Sequence, residues 1–466
     1  TTDITISGLS VSVGALLARD VSLTAISGLL DLTGSIDAGR DILLYGSNAS
    51  GIAVSSGVFI DAGRDVFIDA GTGPGLVGAQ DVNVVADTGS IEIIGEASAD
   101  RDIYLDALGD ITTERLTTIT GDVEVYGASF DVGAISARDI ILEAFDAGGN
   151  LRGSLSATGS VDIYSFDDLT IEAGVLIQGG TGVTIEGGAI FADEDFYVSA
   201  RTGDIDVTGD VFANRNIYLE GASALNVTSL SAGRDLYLQG TSVLATGSLQ
   251  GGGDVAINAT SGNISVSSVT ASDDVVLRAT GSISASSGII SGQATSIDSS
   301  GFGDSLAGTT LTGNDVDIVG LGLNLSVLNA NGSGSDIRAD GGTAASIVGN
   351  SAAGQDIAIS GGTVTTGSLN SGRDIALLAR SGALNLGFTS AARDLALIGV
   401  SVTATSVISG GRDIAVRATG GNISLAGASA GDDLVLRATG SISSSSGILS
   451  GQASSSDASG VGDALA

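Results

Sequence analysis

The stretch that decides the fold is SGRDIALLARSGALNL, residues 371–386. In it Asp374 is followed by Ile375 and Leu377, with Ala376 between them. Successive side chains of an extended chain point to opposite faces, so Ile375 and Leu377 share one face while Asp374 and Ala376 share the other. A second short run, SGALNL at 381–386, follows after a Gly. No sustained helical period runs through this stretch or any other, and the unit is too short to bury its own apolar face.

The same landmark, Asp followed by Ile, Val or Leu and often preceded by Arg, recurs along the chain. It stands at Asp20, Asp41, Asp65, Asp81, Asp102, Asp122 and Asp139, then at Asn216, Asp235, Asp254 and Asp274, and again at Asp315, Asp336, Asp356, Asp374, Asp394, Asp413 and Asp433. From Asp315 onward the steps are 21, 20, 18, 20, 19 and 20. The 41 residues from Asp274 to Asp315 read as two turns with one landmark lost. The 77 residues from Asp139 to Asn216 read as about four turns, with Asp162 and Asp195 keeping part of the pattern.

A period near 20 residues is the signature of a solenoid. Stacked turns pair as parallel strands, and the inward Ile, Val and Leu form columns along the axis. The sequence therefore predicts an all-β fold, a parallel, right-handed β-helix solenoid. About 23 turns spaced by about 4.8 Å give a rod on the order of 110 Å long. The whole of 1–466 reads as one continuous solenoid, with diversified turns over 1–240 and regular turns over 241–466. Residues 230–307 align without gaps to 389–466, an offset of 159 that reads as an eight-turn superrepeat. All seven Tyr and every Glu precede residue 240. The second residue after the landmark is aromatic at Phe67, Tyr104, Tyr164, Tyr197, Tyr218 and Tyr237 and small at Ala256, Ala358, Ala376, Ala396 and Ala415.

Composition narrows the function. The chain holds 72 Gly, one Pro and no Cys, His, Met or Trp, and all 18 basic residues are Arg. A net charge of −35 argues against nucleic acid as a partner and against docking on anionic lipid. No apolar run approaches the 18 or so residues of a membrane-spanning helix, so membrane insertion is not expected. Thr1-Thr2-Asp3-Ile4 has neither the charged nor the apolar region of a signal peptide, which is then absent or already removed. Without Cys there are no disulfides, and stability rests on burial and hydrogen bonding.

The AGRDIxLxAxxGxIxL pattern resembles the haemagglutinin-type repeats of filamentous haemagglutinin-like adhesins, the β-helical exoproteins exported by the two-partner route in Gram-negative bacteria. The likeness covers nearly the whole chain, but the family's N-terminal secretion domain with its NPNL-type motifs has no counterpart here. The resemblance implies an extracellular or cell-surface location and a role in adhesion, biofilm or surface fibres. Its partners would be cell-surface glycans, host or neighbouring cells, or further repeats of the same fibre. It brings no catalytic residues.

Four sets of residues are candidates for chemistry. The pairs Asp167–Asp168, Asp273–Asp274 and Asp432–Asp433 offer the two carboxylates of inverting glycan hydrolysis. Two of them are copies of one repeat position, however, and a turn or cap role is the plainer reading. Turn aspartates in Gln250-Gly251-Gly252-Gly253-Asp254 and in GSGSDI at 332–337 leave calcium open as the one cofactor, although the nine-residue calcium repeat is absent. Half of the arginines precede a landmark Asp: Arg19, Arg40, Arg64, Arg101, Arg138, Arg234, Arg373, Arg393 and Arg412. An Arg column there offsets the repulsion of stacked carboxylates. The aromatic column before residue 240 is suited to stacking on sugars or to packing another fibre. Sequons such as Asn263-Ile264-Ser265 arise by chance in so Ser- and Thr-rich a chain. No catalytic, cofactor-binding or metal residue is assigned.

The leading expectation is a non-enzymatic structural or adhesive rod of a bacterial surface fibre. The alternatives are a self-assembling filament subunit of a sheath or biofilm matrix and a glycan-active β-helix enzyme. Residues 460–466 repeat 301–307, after which Thr309 and Leu311 continue the pattern. The chain is therefore expected to be an internal segment of a longer polypeptide or to stack end to end with its own copies.

Overall fold

The computed structural model describes residues 2–47, 50–71, 75–78, 80–292 and 314–451. They form an all-β solenoid of about 21 stacked turns of about 20 residues, with no helix. Its named strands pair in parallel register. The chain divides into two compact units, Thr1–Val227 and Thr228–Ala466. The segments 293–313 and 452–466, which hold the repeated 301–307 and 460–466 and the expected continuation at Thr309 and Leu311, lie outside the described residues.

In the first unit each turn contributes to three faces. The first runs through Val21, Ile42, Val66, Ile91 and Ile111. The second runs through Val11, Leu30, Ile52, Leu76 and Ala97. The third runs through Ile36, Ile60, Val84, Leu105 and Val125. The apolar columns close a narrow core in which neighbouring turns adjust to each other. Phe130 fills its layer, and a Cβ on Gly149 in the next turn would lie 2.2 Å from the Phe130 ring.

The landmark does not keep to one face here. Asp20, Asp41 and Asp65 precede strands of the first face. Asp81, Asp102, Asp122 and Asp139 precede strands of the third. Asp195 and Asn216 precede strands of the second. Val66 accordingly pairs with Ile91, not with Val82. Asp162 is not a landmark: it pairs with Ile141, while Ser160 takes the landmark place above Asp139. Tyr164 therefore stands beside Glu143, outside the landmark-plus-two column. Turn length varies in this unit, and the pattern of a short strand after Asp fits any of the three corners.

In the second unit one column carries every landmark, from Leu236 through Val255, Val275, Val316, Ile337, Ile357, Ile375, Leu395 and Ile414 to Leu434. Val275 pairs directly with Val316, so the 41-residue step is one turn, not two. The steps from Leu236 to Leu395 then number seven, and the 159-residue superrepeat is seven turns with an inserted segment, not eight.

The expected inward register holds. Ile42, Leu44, Ile103, Leu105, Ile375 and Leu377 are buried, and Ala376 is exposed. Leu434 and Leu436 are only half-buried; they stack on Ile414 and Val416, and no described landmark strand lies on their other side. The outward landmark-plus-two residues Ala256, Val276 and Ala415 depart from expectation in being fully buried.

Candidate functional surfaces

The landmark Asp is the rung of a hydrogen-bond ladder between turns. Its Oδ1 accepts the backbone N–H of the residue at the landmark place in the next turn. In the first unit Asp102 accepts from Asp122 at 2.9 Å, Asp122 from Asp139 at 3.1 Å and Asp195 from Asn216 at 3.0 Å. In the second unit the ladder is continuous, from Asp254 on Asp235 at 3.0 Å to Asp433 on Asp413 at 3.2 Å. Each corner exposes a donor that the sheet ladder leaves unused, and a short carboxylate side chain is suited to capture it. Two corners show how tight the fit is. A Cβ on Gly121 would meet Asp102 Oδ1 at 2.1 Å, and one on Gly253 would meet Asp235 Oδ1 at 2.4 Å.

The arginine before the landmark reaches back one turn and grips both oxygens of the rung, Nε on Oδ1 and Nη2 on Oδ2. Arg40 holds Asp20 through Nε at 2.8 Å and Nη2 at 2.5 Å, and Arg101 holds Asp81 at 2.9 Å and 2.5 Å. Arg64 on Asp41, Arg373 on Asp356 and Arg393 on Asp374 make the same two-pronged contact. Arg19 pairs with Asp3, Arg138 bridges Asp122 and Asp139, Arg234 lies against its own Asp235, and Arg412 lies 3.7 Å from Asp394. Arg215, which precedes Asn216 and so escapes a search for Arg-Asp, does the same with Asp195. These guanidinium groups hold the Asp20, Asp81 and Asp195 carboxyls below the usual carboxylate range.

One stretch of the ladder runs without such an arginine. Asp254, Asp274, Asp315, Asp336 and Asp356 are preceded by Gly253, Asp273, Asn314, Ser335 and Gln355. Asp274 is 0 % exposed, and its Oδ1 accepts the Asp315 N–H at 2.8 Å. Burial, aided by the charges of Asp254, Asp273 and Asp315, pushes its carboxyl up to about 8.

The three aspartate pairs sit at corners, where they serve the ladder. Asp168 is exposed and accepts the Ala189 N–H at 3.0 Å. Asp274 is the buried rung just described, and Asp433 donates its N–H to Asp413. The residues considered for calcium do likewise: Asp254 accepts from Asp274 at 3.2 Å, and Asp336 from Asp356 at 2.9 Å. Among the described residues no group of three or more carboxylates converges to hold a metal ion. Asn263 of the sequon caps a different corner, its Oδ1 accepting the Ser282 N–H at 2.8 Å.

The aromatic residues form pairs across adjacent turns. Tyr45 lies 5.5 Å from Phe67, Tyr104 lies 5.8 Å from Tyr126, and Tyr197 stacks on Tyr218 at 4.8 Å with an interplanar angle of 8°. The exposed pair Phe191–Phe212 and the ring of Tyr126, four residues after its landmark, were not legible from the landmark-plus-two position alone. In the second unit the small landmark-plus-two residues Ala358, Ala376 and Ala396 floor an open groove of about 420 Å³ beside Leu378 and Ile398. Arg380 crosses near its edge to Asp340 at 2.9 Å and Ser360 at 2.9 Å.

No protein-family model, no curated protein and no solved structure matches this chain.

Proposed function

We propose that the chain is a structural or adhesive rod of an extracellular bacterial surface fibre of the filamentous haemagglutinin-like kind. The observation that carries this reading is the ladder itself. The residues that make the AGRDI pattern are spent on joining one turn to the next: Asp on the N–H above it, Arg on the Asp below it, and the Ile and Leu in the core. A sequence motif whose every member serves turn-to-turn cohesion suits a rod that projects or spaces something. It also gives a physical reason for the resemblance to haemagglutinin-type repeats, which is a likeness of solenoid chemistry.

The test is location and role in the organism that encodes the chain. An antibody to the purified protein is used on intact cells, with and without external protease, alongside cells lacking the gene in an attachment assay. Labelling of intact cells that protease removes, together with loss of attachment or of surface fibres in the deletion strain, is the expected result. A protease-resistant internal pool with unchanged attachment would overturn the proposal.

A further inference from the structure

The outer surface of the third face of the first unit gathers a larger tyrosine and carboxylate grouping than that of Tyr197 and Tyr218 with Glu220 on the second face. Two outward columns run along it, one through Tyr104, Glu124, Ile141 and Asp162 and the other through Asp106, Tyr126, Glu143 and Tyr164. The second column alternates carboxylate and ring, and the first adds Tyr104, two carboxylates and Ile141 beside it. The rings are held in place by their neighbours: Tyr104 donates to Asp106 at 2.9 Å, Tyr126 donates to Glu124 at 3.0 Å, and the two rings lie 5.8 Å apart. The adjoining corner carries Leu108, Phe145 and Phe166, which are 62 %, 39 % and 76 % exposed.

No arginine stands among these outward residues. Arg101 and Arg138, which precede the strands of Tyr104 and Ile141, are committed to the ladder, to Asp81 and Asp122, and Arg152 pairs with Asp131. The chain has no lysine to supply instead. A surface of tyrosine rings interleaved with unneutralised carboxylates complements a cation that can lie against an aromatic face while bonding to an acid. Guanidinium does both. The apolar corner suits the aliphatic stem that carries such a charge. A second copy of this chain is a poor occupant, because it brings a net charge of −35 to an already acidic surface.

We infer that this surface is a docking site for an extended, arginine-bearing polypeptide segment of a partner. From the turn of Tyr104 to that of Tyr164 is three turn spacings, about 14 Å, which four or five extended residues span. Alternate side chains of such a segment would meet successive rings. The inference does not rest on an extracellular location or on the rod reading.

The test is fluorescence anisotropy of labelled nona-arginine and nona-lysine titrated with the full 466-residue chain, at about physiological ionic strength so that long-range attraction is screened. Three variants, each checked for unchanged circular dichroism, separate the site from general acidity. Y104S/Y126S/Y164S removes the rings and keeps the charge. E124Q/E143Q removes two charges inside the patch. D37N/D61N removes two charges from Asp37 and Asp61, which neighbour each other on the same face in a Tyr-free region. The expected result is tighter binding of nona-arginine than nona-lysine, a loss of at least about tenfold for the tyrosine variant, a similar loss for E124Q/E143Q, and a change under about twofold for D37N/D61N. Equal weakening by both charge variants, or unchanged binding by the tyrosine variant, would overturn the inference. So would tyrosine-dependent binding of a neutral oligosaccharide with the arginine peptide unaffected.

Discussion

The two units solve the same problem with different discipline. In the second, ten landmarks from Asp235 to Asp433 stand in one column, and every step but the 41-residue one from Asp274 to Asp315 is 18 to 21 residues. In the first, the landmark moves from one face to the third and then to the second, and turns of 21 to 25 residues separate Val21, Ile42, Val66 and Ile91. The ladder bond is the same in both, 2.9 Å at Asp102–Asp122 and 2.9 Å at Asp336–Asp356. What is required is therefore a carboxylate at the start of a strand beneath an unused N–H, and any corner of the triangle supplies that. Face is a matter of repeat history, whereas the rung is a matter of chemistry.

The comparison predicts that core residues after the landmark are equivalent whichever face they occupy. Ile42→Ala in the first unit and Ile375→Ala in the second should each cost about 2–5 kcal/mol, read by denaturant unfolding. A near-neutral effect at either site would break the equivalence.

The units should differ in their response to pH. Asp274 has its carboxyl raised to about 8 by burial and neighbouring charge. The native state then holds a proton that the unfolded chain releases near pH 4, so stability falls as pH rises from about 4 to about 8 and levels off above. Asp274→Asn keeps the Oδ1 acceptor for Asp315 and should raise stability at pH 8 by ~2–4 kcal/mol while changing little at pH 4. Asp20, Asp81 and Asp195 act in the opposite sense. Arginine lowers their carboxyls, so their contribution is present above about pH 4 and is lost only on further acidification. Thermal melts of Asp274→Asn and the parent that fall in parallel from pH 5 to pH 8 would contradict this account of the arginine-free stretch.

Smaller effects sharpen the same contrast. Arg101→Gln should lower the melting temperature by only about 1–2 °C, since the pair is exposed. Gln355→Arg places a guanidinium above Asp336 in the arginine-free stretch and should raise it by a comparable amount. Lowering ionic strength should destabilise the chain modestly, because its net negative charge is then least screened. Adding a calcium chelator should leave the melt unchanged; a large fall would show that the corner aspartates hold a metal.

Much of this was legible because stacking has a sequence signature. Ile375 and Leu377 flanking Ala376 reveal the inward face without any structure, and the near-20 period reveals the solenoid. Turn assignment was legible only where turn lengths are uniform. Between Asp65 and Asp81 the step of 16 looks like a short turn, yet Val66 lies beneath Ile91. A landmark that can sit at any of three corners gives spacing without face. The same ambiguity promoted Asp162 to a landmark, when its partner Ile141 shows it to be an outward strand residue. The ladder bond itself was hidden because the sequence shows like charges that should repel, and only the corner geometry shows each carboxylate receiving the next turn's N–H. The grouping around Tyr126 was hidden because it combines two columns, of which the landmark indexes one.

The claim that the landmark marks a strand start and not a face can be tested by cross-linking, since the chain has no cysteine of its own. Paired cysteines in adjacent parallel strands at outward positions lie within disulfide reach, about 4.8 Å between Cα atoms. Phe67→Cys with Glu92→Cys joins residues that are neighbours in the structure, whereas Phe67→Cys with Asn83→Cys joins positions that a fixed-face landmark would make neighbours. Ala376→Cys with Ala396→Cys is the positive control from the second unit, where both views agree. Under mild oxidation the 67–92 and 376–396 pairs should close rapidly, as a mobility shift reversed by reductant, and the 67–83 pair should stay open. Closure of 67–83 with 67–92 remaining reduced would contradict the account.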